Sequence, residues 1–149
     1  MDKPVIKITL YIASSNTKVW DALTNPEITQ KYWSETRLES EWKVGSKLIY
    51  RRNGEITDEN TVLQVEPETL LRYTFEPKYP EFRNEPPSRV TFLLSDNGEV
   101  VRLIMIHDEF EPDSKVYMAC SEGWPMILNS LKTLLETGNP LSNLEFDQK

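Results

Sequence analysis

The sequence between Gly123 and Lys132 is GWPMILNSLK, and apolar side chains continue beyond it on both sides at helical spacing. They recur every three or four residues, at Tyr117, Cys120, Trp124, Leu128, Leu131 and Leu135. This is the period of one helix face, so the segment is predicted to form one amphipathic helix with a tryptophan on its apolar face.

The ends of this helix are marked by residues with capping propensity. Asp113 or Ser114 is predicted to cap its start. Gly138, followed shortly by a proline, is predicted to end it. Pro125 lacks a backbone donor, so a bend or a weak turn is expected near Gly123.

Upstream of this helix the period of the apolar residues is mostly two, which is typical of strands. A first strand is predicted over residues 5–12, and six more over 36–42, 46–53, 56–65, 69–76, 88–95 and 99–110. The clearest hairpin joins the last two strands through the turn 96–98. Residues 14–16 and 25–27 carry capping signals, so two short helices are predicted between the first strand and the second.

The segment between residues 76 and 88 is the least regular part of the chain. It contains Pro77, Pro80, Pro86 and Pro87, which cannot donate backbone hydrogen bonds. It is therefore interpreted as a surface loop, and a position over the mouth of a cavity is one possible place for it.

Length and composition predict one globular domain over residues 1–138, with residues 139–149 as a tail. The net charge of −7 argues against nucleic acid or an anionic membrane as the main partner. One cysteine cannot form an internal disulfide, no apolar run is long enough to span a membrane, and no apolar signal region is present at the N-terminus. A cytoplasmic location is expected, with the protein a monomer or a weak dimer.

The order of elements predicts the fold class α+β. It is the order of the helix-grip fold, in which a curved antiparallel sheet of about six or seven strands wraps around a long C-terminal helix, with two short helices after the first strand. START lipid-transfer domains and the birch-pollen-allergen-like proteins share this fold, in which sheet and helix can enclose an internal cavity.

Particular residues narrow this resemblance to one family. They are Val19 to Glu27 (VWDALTNPE), Trp33, Gly45, Glu66-Pro67 with Leu70, Val90 to Phe92, Leu103 to His107, and Gly123-Trp124 with Leu128, Leu131-Lys132, Leu135-Glu136 and Gly138. In order and spacing, from about residue 5 to 138, they resemble the bacterial homologues of the C-terminal domain of the activator of the heat-shock-protein-90 ATPase.

The resemblance implies more than one function. The first hypothesis is a non-enzymatic binding domain with an apolar cavity for a small lipid-like, aromatic or polyketide-like molecule. The second is a stress-related co-chaperone role on a heat-shock-protein-90 type ATPase, although the separate N-terminal domain of the co-chaperones has no counterpart here. The third is a cavity enzyme, such as a cyclase or hydrolase, that uses His107.

The candidate ligand-binding residues are those that the predicted faces direct toward such a cavity. They are Trp33, Tyr50, Arg52, Tyr73, Phe75, Phe92, Met105, His107, Cys120, Trp124 and Leu128. Apolar pockets with a few polar anchors suit steroid-like, polyketide or acyl ligands. The alternative is that the rings fill the core and that Arg52 ends its strand and reaches water.

His107 is the only histidine, and it shares a strand face with Met105. It is either a ligand-binding or acid–base group, or a core histidine satisfied by a neighbour such as Glu109. A dyad with Cys120 is conceivable, but no sequence signature of a cysteine nucleophile is present, so no catalytic residue is assigned.

No metal site and no cofactor are predicted, because one His and one Cys fall short of a ligand set. The acidic segment Asp58-Glu59-Asn60 is interpreted as a solvated strand edge or a bulge.

Overall fold

The computed structural model describes residues 2–141 and contains seven strands and three α-helices. The strands are β1 (Ile6–Ile12), β2 (Thr36–Ser40), β3 (Lys47–Arg52), β4 (Glu55–Glu66), β5 (Leu70–Phe75), β6 (Ser88–Asn97) and β7 (Val100–Asp108). The helices are α1 (Asn16–Thr24), α2 (Pro26–Tyr32) and α3 (Lys115–Thr137), and a short 3₁₀ turn lies at Pro80–Phe82.

The strands form one antiparallel sheet in the order β1-β7-β6-β5-β4-β3-β2. The first strand pairs with the last, with Ile6 opposite His107, and α1 and α2 carry the chain from one edge of the sheet to the other. Register shifts at Tyr50/Arg51 and between Val62 and Gln64 interrupt two ladders, and such irregularities bend strands. The curved open sheet and the long helix confirm the predicted helix-grip fold.

The helix starts follow the capping signals in the sequence. Ser15 Oγ accepts the Lys18 backbone N–H at 3.2 Å, and Asn25 Oδ1 accepts that of Glu27 at 3.0 Å. Ser114 caps α3 in the same way, and α3 ends at Gly138 with φ +90°. The helix continues through Pro125, and the bend expected there stays a prediction.

The apolar face predicted for α3 packs on the inner face of the sheet. Trp124, Leu128 and Leu131 are buried, while Tyr117, Cys120 and Leu135 pack partly buried against the same core. No helix within residues 2–141 is both long and apolar enough to cross a membrane. Most of the predicted tail, residues 142–149, lies outside the described part of the chain.

The interpretation of residues 58–60 as a solvated edge is wrong. β4 lies between β3 and β5, so it is not an edge strand, although a register shift does occur nearby. Asp58 and Asn60 are only 4% and 0% exposed, because they share the inward face of β4 with Val62.

Glu85 in the proline-rich loop forms hydrogen bonds with the start of α3. The Glu85 carboxylate accepts the Ser114 hydroxyl at 2.6 Å and the backbone N–H groups of Lys115 and Val116 at 2.7 and 3.3 Å. Free N–H groups and the helix dipole both favour an anion at this position. The loop is thereby held beside the N-terminal half of α3.

Replacing Glu85 with alanine should lower the free energy of unfolding by about 1–2 kcal/mol, because three donors lose their acceptor. Glu81→Ala, which removes an exposed carboxylate from the same loop, is the matched control and should change stability little. Urea unfolding followed by tryptophan fluorescence measures both. Equal effects of the two substitutions would contradict the capping role.

Candidate functional site

A cavity of about 190 Å³ lies between α3, the strands β3 and β4, and the proline-rich loop. The loop contributes Pro77, Tyr79 and Phe82 to its wall, which places the loop beside the cavity. α3 contributes small residues, Ala119, Cys120 and Gly123, along with Trp124, Val116 and Ile127. The small size of these residues leaves space in the wall that larger side chains would fill.

Six of the eleven candidate residues line this cavity: Trp33, Tyr50, Arg52, Phe75, Cys120 and Trp124. The other five, Tyr73, Phe92, Met105, His107 and Leu128, are not in its wall and are at most 1% exposed, within the core around it. Binding of a ligand by any of them stays a prediction.

The aromatic side of the cavity is an array of rings that touch at their edges. Trp33 lies 5.5 Å from Tyr50 and 5.5 Å from Trp124, measured between ring centroids, and both pairs are inclined by 70°. Phe75 packs 6.0 Å from Tyr50, again at 70° between the ring planes. Edge-to-face packing fixes ring positions, so this wall is preformed.

His107 lies at the centre of a buried hydrogen-bonded group. The indole N–H of Trp124 donates to His107 Nδ1 at 3.0 Å, and Nε2 lies 2.8 Å from the Ser88 hydroxyl oxygen. An indole nitrogen can only donate, so Nδ1 accepts and the neutral ring carries its proton on Nε2, which donates to Ser88. Burial keeps the ring neutral by lowering its pKa from 6.5 to about 3, against a small opposing effect of Asp108.

Both ring nitrogens of His107 are therefore occupied by internal partners. The expectation that Glu109 is the neighbour that satisfies it is wrong, because Glu109 lies past the end of β7, is half exposed and pairs with Lys3 and Arg89. The ring is also absent from the cavity wall. This geometry favours a structural role for His107 over acid–base catalysis.

Cys120 lines the cavity, but its environment does not activate the thiol. Burial, followed by the charges of Asp58 and Glu85, raises its pKa from 9.0 to about 12. Nucleophilic cysteines need a lowered pKa, so this thiol stays protonated and behaves as a small apolar side chain.

Two tyrosine hydroxyls meet behind the cavity wall. Tyr50 and Tyr73 form a hydrogen bond of 2.5 Å between their phenol oxygens, and both side chains are buried. Burial raises both pKa values, so both phenols stay protonated and one donates to the other.

Asp58 is the functional candidate that the sequence interpretation missed. Its side chain is buried in the cavity wall, where the Thr57 hydroxyl donates to Oδ1 at 2.7 Å. Burial raises its pKa from 3.8 to about 6, more than Thr57 and Lys78 lower it. The signal that could have found it is the period of two that places residues 58, 60 and 62 on one strand face.

Arg52 lies in the same wall and is half buried. Its Nη2 donates to the Ser34 hydroxyl at 2.9 Å, which fixes the guanidinium at the α2–β2 connection.

Within residues 2–141, no three His, Cys, Asp or Glu side chains cluster closely enough to hold a metal ion.

Asp58→Asn should change how stability depends on pH. Between about pH 4 and 6 the unfolded chain loses the Asp58 proton while the folded chain keeps it, so this group lowers stability as pH rises. The cost reaches about 3 kcal/mol above pH 6. The lowered pKa of His107 has the opposite effect on the pH dependence of stability. Its contribution to stability is complete above about pH 6.5 and is lost as the pH falls toward 3. In urea unfolding from pH 4 to 8, the variant should therefore gain stability over wild type as pH rises.

Glu59→Gln is the matched control, because Glu59 follows Asp58 on the opposite face of β4 and pairs with Lys78 at 2.7 Å. Lys78 lowers the pKa of Glu59, so this substitution should change the pH dependence in the opposite direction. A stability difference between Asp58→Asn and wild type that is independent of pH would contradict the burial of the charge.

Comparison with known proteins assigns the chain to a family. The sequence model of the activator of Hsp90 ATPase homolog 1-like proteins matches residues 13–136. Protein MLL2253 from Mesorhizobium loti is 26% identical, with a TM-score of 0.76 over 89% of this chain and 96% of that one. No curated protein matches the sequence.

Two further solved structures share the fold. The Aha1 dimer from Colwellia psychrerythraea is 23% identical, with a TM-score of 0.75 over 91% of this chain and 98% of that one. An HSP90 activator from Plasmodium falciparum is 17% identical, with a TM-score of 0.73 over 88% and 95% of the two chains. Since the family match extends from the end of β1 to the last turn of α3, this chain belongs to the activator of Hsp90 ATPase homolog 1-like family.

Proposed function

We propose that this protein is a small-molecule binding domain whose cavity between the sheet and α3 takes an apolar ligand. The observation that carries the proposal is the cavity itself, with a wall of Trp33, Tyr50, Phe75 and Trp124. Concave sites with mostly apolar walls and a few polar groups are the usual form of small-molecule sites.

The cavity volume limits what can be enclosed. A dry apolar cavity of about 150 Å³ is large enough to bind benzene, whereas sites for drug-sized molecules begin at about 300 Å³. At about 190 Å³, this cavity fits a single ring, or one end of an aromatic, polyketide-like or lipid-like molecule. Tyr79 and Phe82 from the proline-rich loop would contact the part of a longer ligand that extends outward.

A substitution on α3 tests whether the ligand occupies this cavity. A Cβ atom added at Gly123 would meet no atom within 4 Å apart from its chain neighbours and the adjoining helix backbone, and Gly123 lies in the cavity wall. Gly123→Ala and Gly123→Leu should each raise the free energy of unfolding by about 0.5–1 kcal/mol, because glycine disfavours a helix. Only the leucine side chain is large enough to fill the space.

The measurement is thermal unfolding with toluene, indole and decanoic acid, combined with native mass spectrometry. A probe at a hundredfold excess over its Kd should raise the Tm of wild type and of Gly123→Ala by about 5–10 °C. Gly123→Leu should lose this shift. The proposal fails if no probe shifts the Tm of wild type or gives an adduct, or if the shift survives in Gly123→Leu.

A second candidate is a co-chaperone-like interaction with a heat-shock-protein-90 type ATPase. The family match and the fold shared with an HSP90 activator support it. The test is the ATPase turnover of the 90-kDa chaperone from the source organism with and without this protein. An increase that saturates with added protein would support the interaction, and unchanged turnover at saturating concentration would exclude it.

A further inference from the structure

Asp58 lines the cavity, and one of its carboxylate oxygens has no hydrogen-bond donor among the described residues. Oδ1 of Asp58 accepts from Thr57, but Oδ2 has no partner among residues 2–141. The residue is only 4% exposed, so little of this carboxylate is in contact with bulk water. Buried polar atoms are nearly always paired, and an orphaned carboxylate oxygen therefore points to something absent from the protein alone.

The backbone holds Asp58 firmly in this position. Asp58 lies opposite Tyr50 on β3, immediately before the register shift at Tyr50/Arg51. On its other side it forms an isolated bridge with Pro77, the first residue of the proline-rich loop that lines the cavity. A backbone paired on both sides, together with the hydrogen bond from Thr57 to Oδ1, makes this carboxylate a preorganised acceptor rather than a flexible surface group.

The charges around Asp58 leave this oxygen available. Lys78 is the cation that acts on the Asp58 charge, but its ammonium lies 2.7 Å from Glu59 Oε1 on the opposite face of β4. Arg52, in the same wall, donates to Ser34. Burial, and in addition the negative charge of Asp58, raises the pKa values of the neighbouring Tyr50 and Cys120, so both groups stay protonated.

We propose that the ligand of this cavity is a small cyclic molecule with one hydrogen-bond donor, a hydroxyl or an ammonium group, which binds Asp58 Oδ2. This inference rests on the proposed function, since it specifies the ligand class of the same cavity. The rings of Trp33, Phe75 and Trp124 contact the apolar part of the ligand, and the carboxylate fixes its orientation. An ammonium would also be attracted to the faces of these rings.

A buried water is the competing explanation. Asn60 Nδ2 also lacks a partner among the described residues, and Asn60 follows Asp58 on the same face of β4. A water between the two side chains would satisfy both. Asn60 is not in the cavity wall, however, whereas Asp58 is.

Three probes of similar shape separate these explanations: phenol, benzylamine and toluene. A charge-assisted hydrogen bond inside a protein strengthens binding by about tenfold or more. Isothermal titration calorimetry at pH 7.5 should therefore give wild type a Kd for phenol or for benzylamine at least about tenfold lower than for toluene. Whichever of the two binds more tightly identifies the donor as a hydroxyl or an ammonium.

Asp58→Asn shows whether Asp58 causes the preference, and Glu55→Gln, which removes an exposed carboxylate from β4 outside the cavity wall, is the matched control. The asparagine keeps the shape of the side chain but removes its charge, and it relieves the cost of burial, so the variant should fold. It should bind phenol, benzylamine and toluene within about threefold of one another, whereas Glu55→Gln should keep the wild-type preference. Circular dichroism confirms that both variants are folded.

Each outcome has a distinct meaning. Equal Kd values of wild type for the three probes would overturn the inference, as expected for a bridging water, and leave the apolar cavity intact. A preference that survives in Asp58→Asn would also overturn it. Failure of all three probes, of indole and of decanoic acid to bind wild type would overturn both this inference and the proposed function.

Discussion

The hydrogen bond from the Trp124 indole to His107 Nδ1 ties the long helix to the sheet, and the arrangement of the rest follows from it. β7, which carries His107, lies between β1 and β6, and Ser88 on β6 continues the connection. All three side chains are buried, so breaking either bond leaves a polar atom unpaired at a cost of about 1–3 kcal/mol. A neutral histidine is required, and burial supplies it by lowering the pKa of His107.

On either side of Trp124, the two halves of α3 pack differently against the sheet. Toward the C-terminus, Leu128 and Leu131 fill the space against the sheet. Toward the N-terminus, Cys120 and Gly123 are too small to do so, and the cavity lies there. Glu85 caps that same end of the helix and thereby holds the loop that closes one side of the cavity. The space is therefore a consequence of side-chain size at a fixed helix position.

The charge of Asp58 in the cavity wall opposes folding. The Asp58 carboxylate is buried without an ion pair among the described residues, and burying a charge in this way costs free energy. Residues that lower stability in a cavity wall are commonly the ones that serve binding. An apolar residue would pack there without this cost. Asp58 therefore lowers the stability of the fold, while in the proposed function it serves ligand binding.

The sequence by itself determined the secondary structure, the helix caps and the family, because these depend on local periodicity, capping chemistry and the order of short segments. It also predicted that the face with Trp124 packs on the sheet. Only the tertiary structure decided which aromatic residues line the cavity and which fill the core, since both kinds occupy inward positions with the same period. It likewise decided that His107 pairs with Trp124 and Ser88 rather than Glu109, and that Asp58 faces inward on a central strand. Those outcomes depend on strand order and register, which bring together residues far apart in the chain.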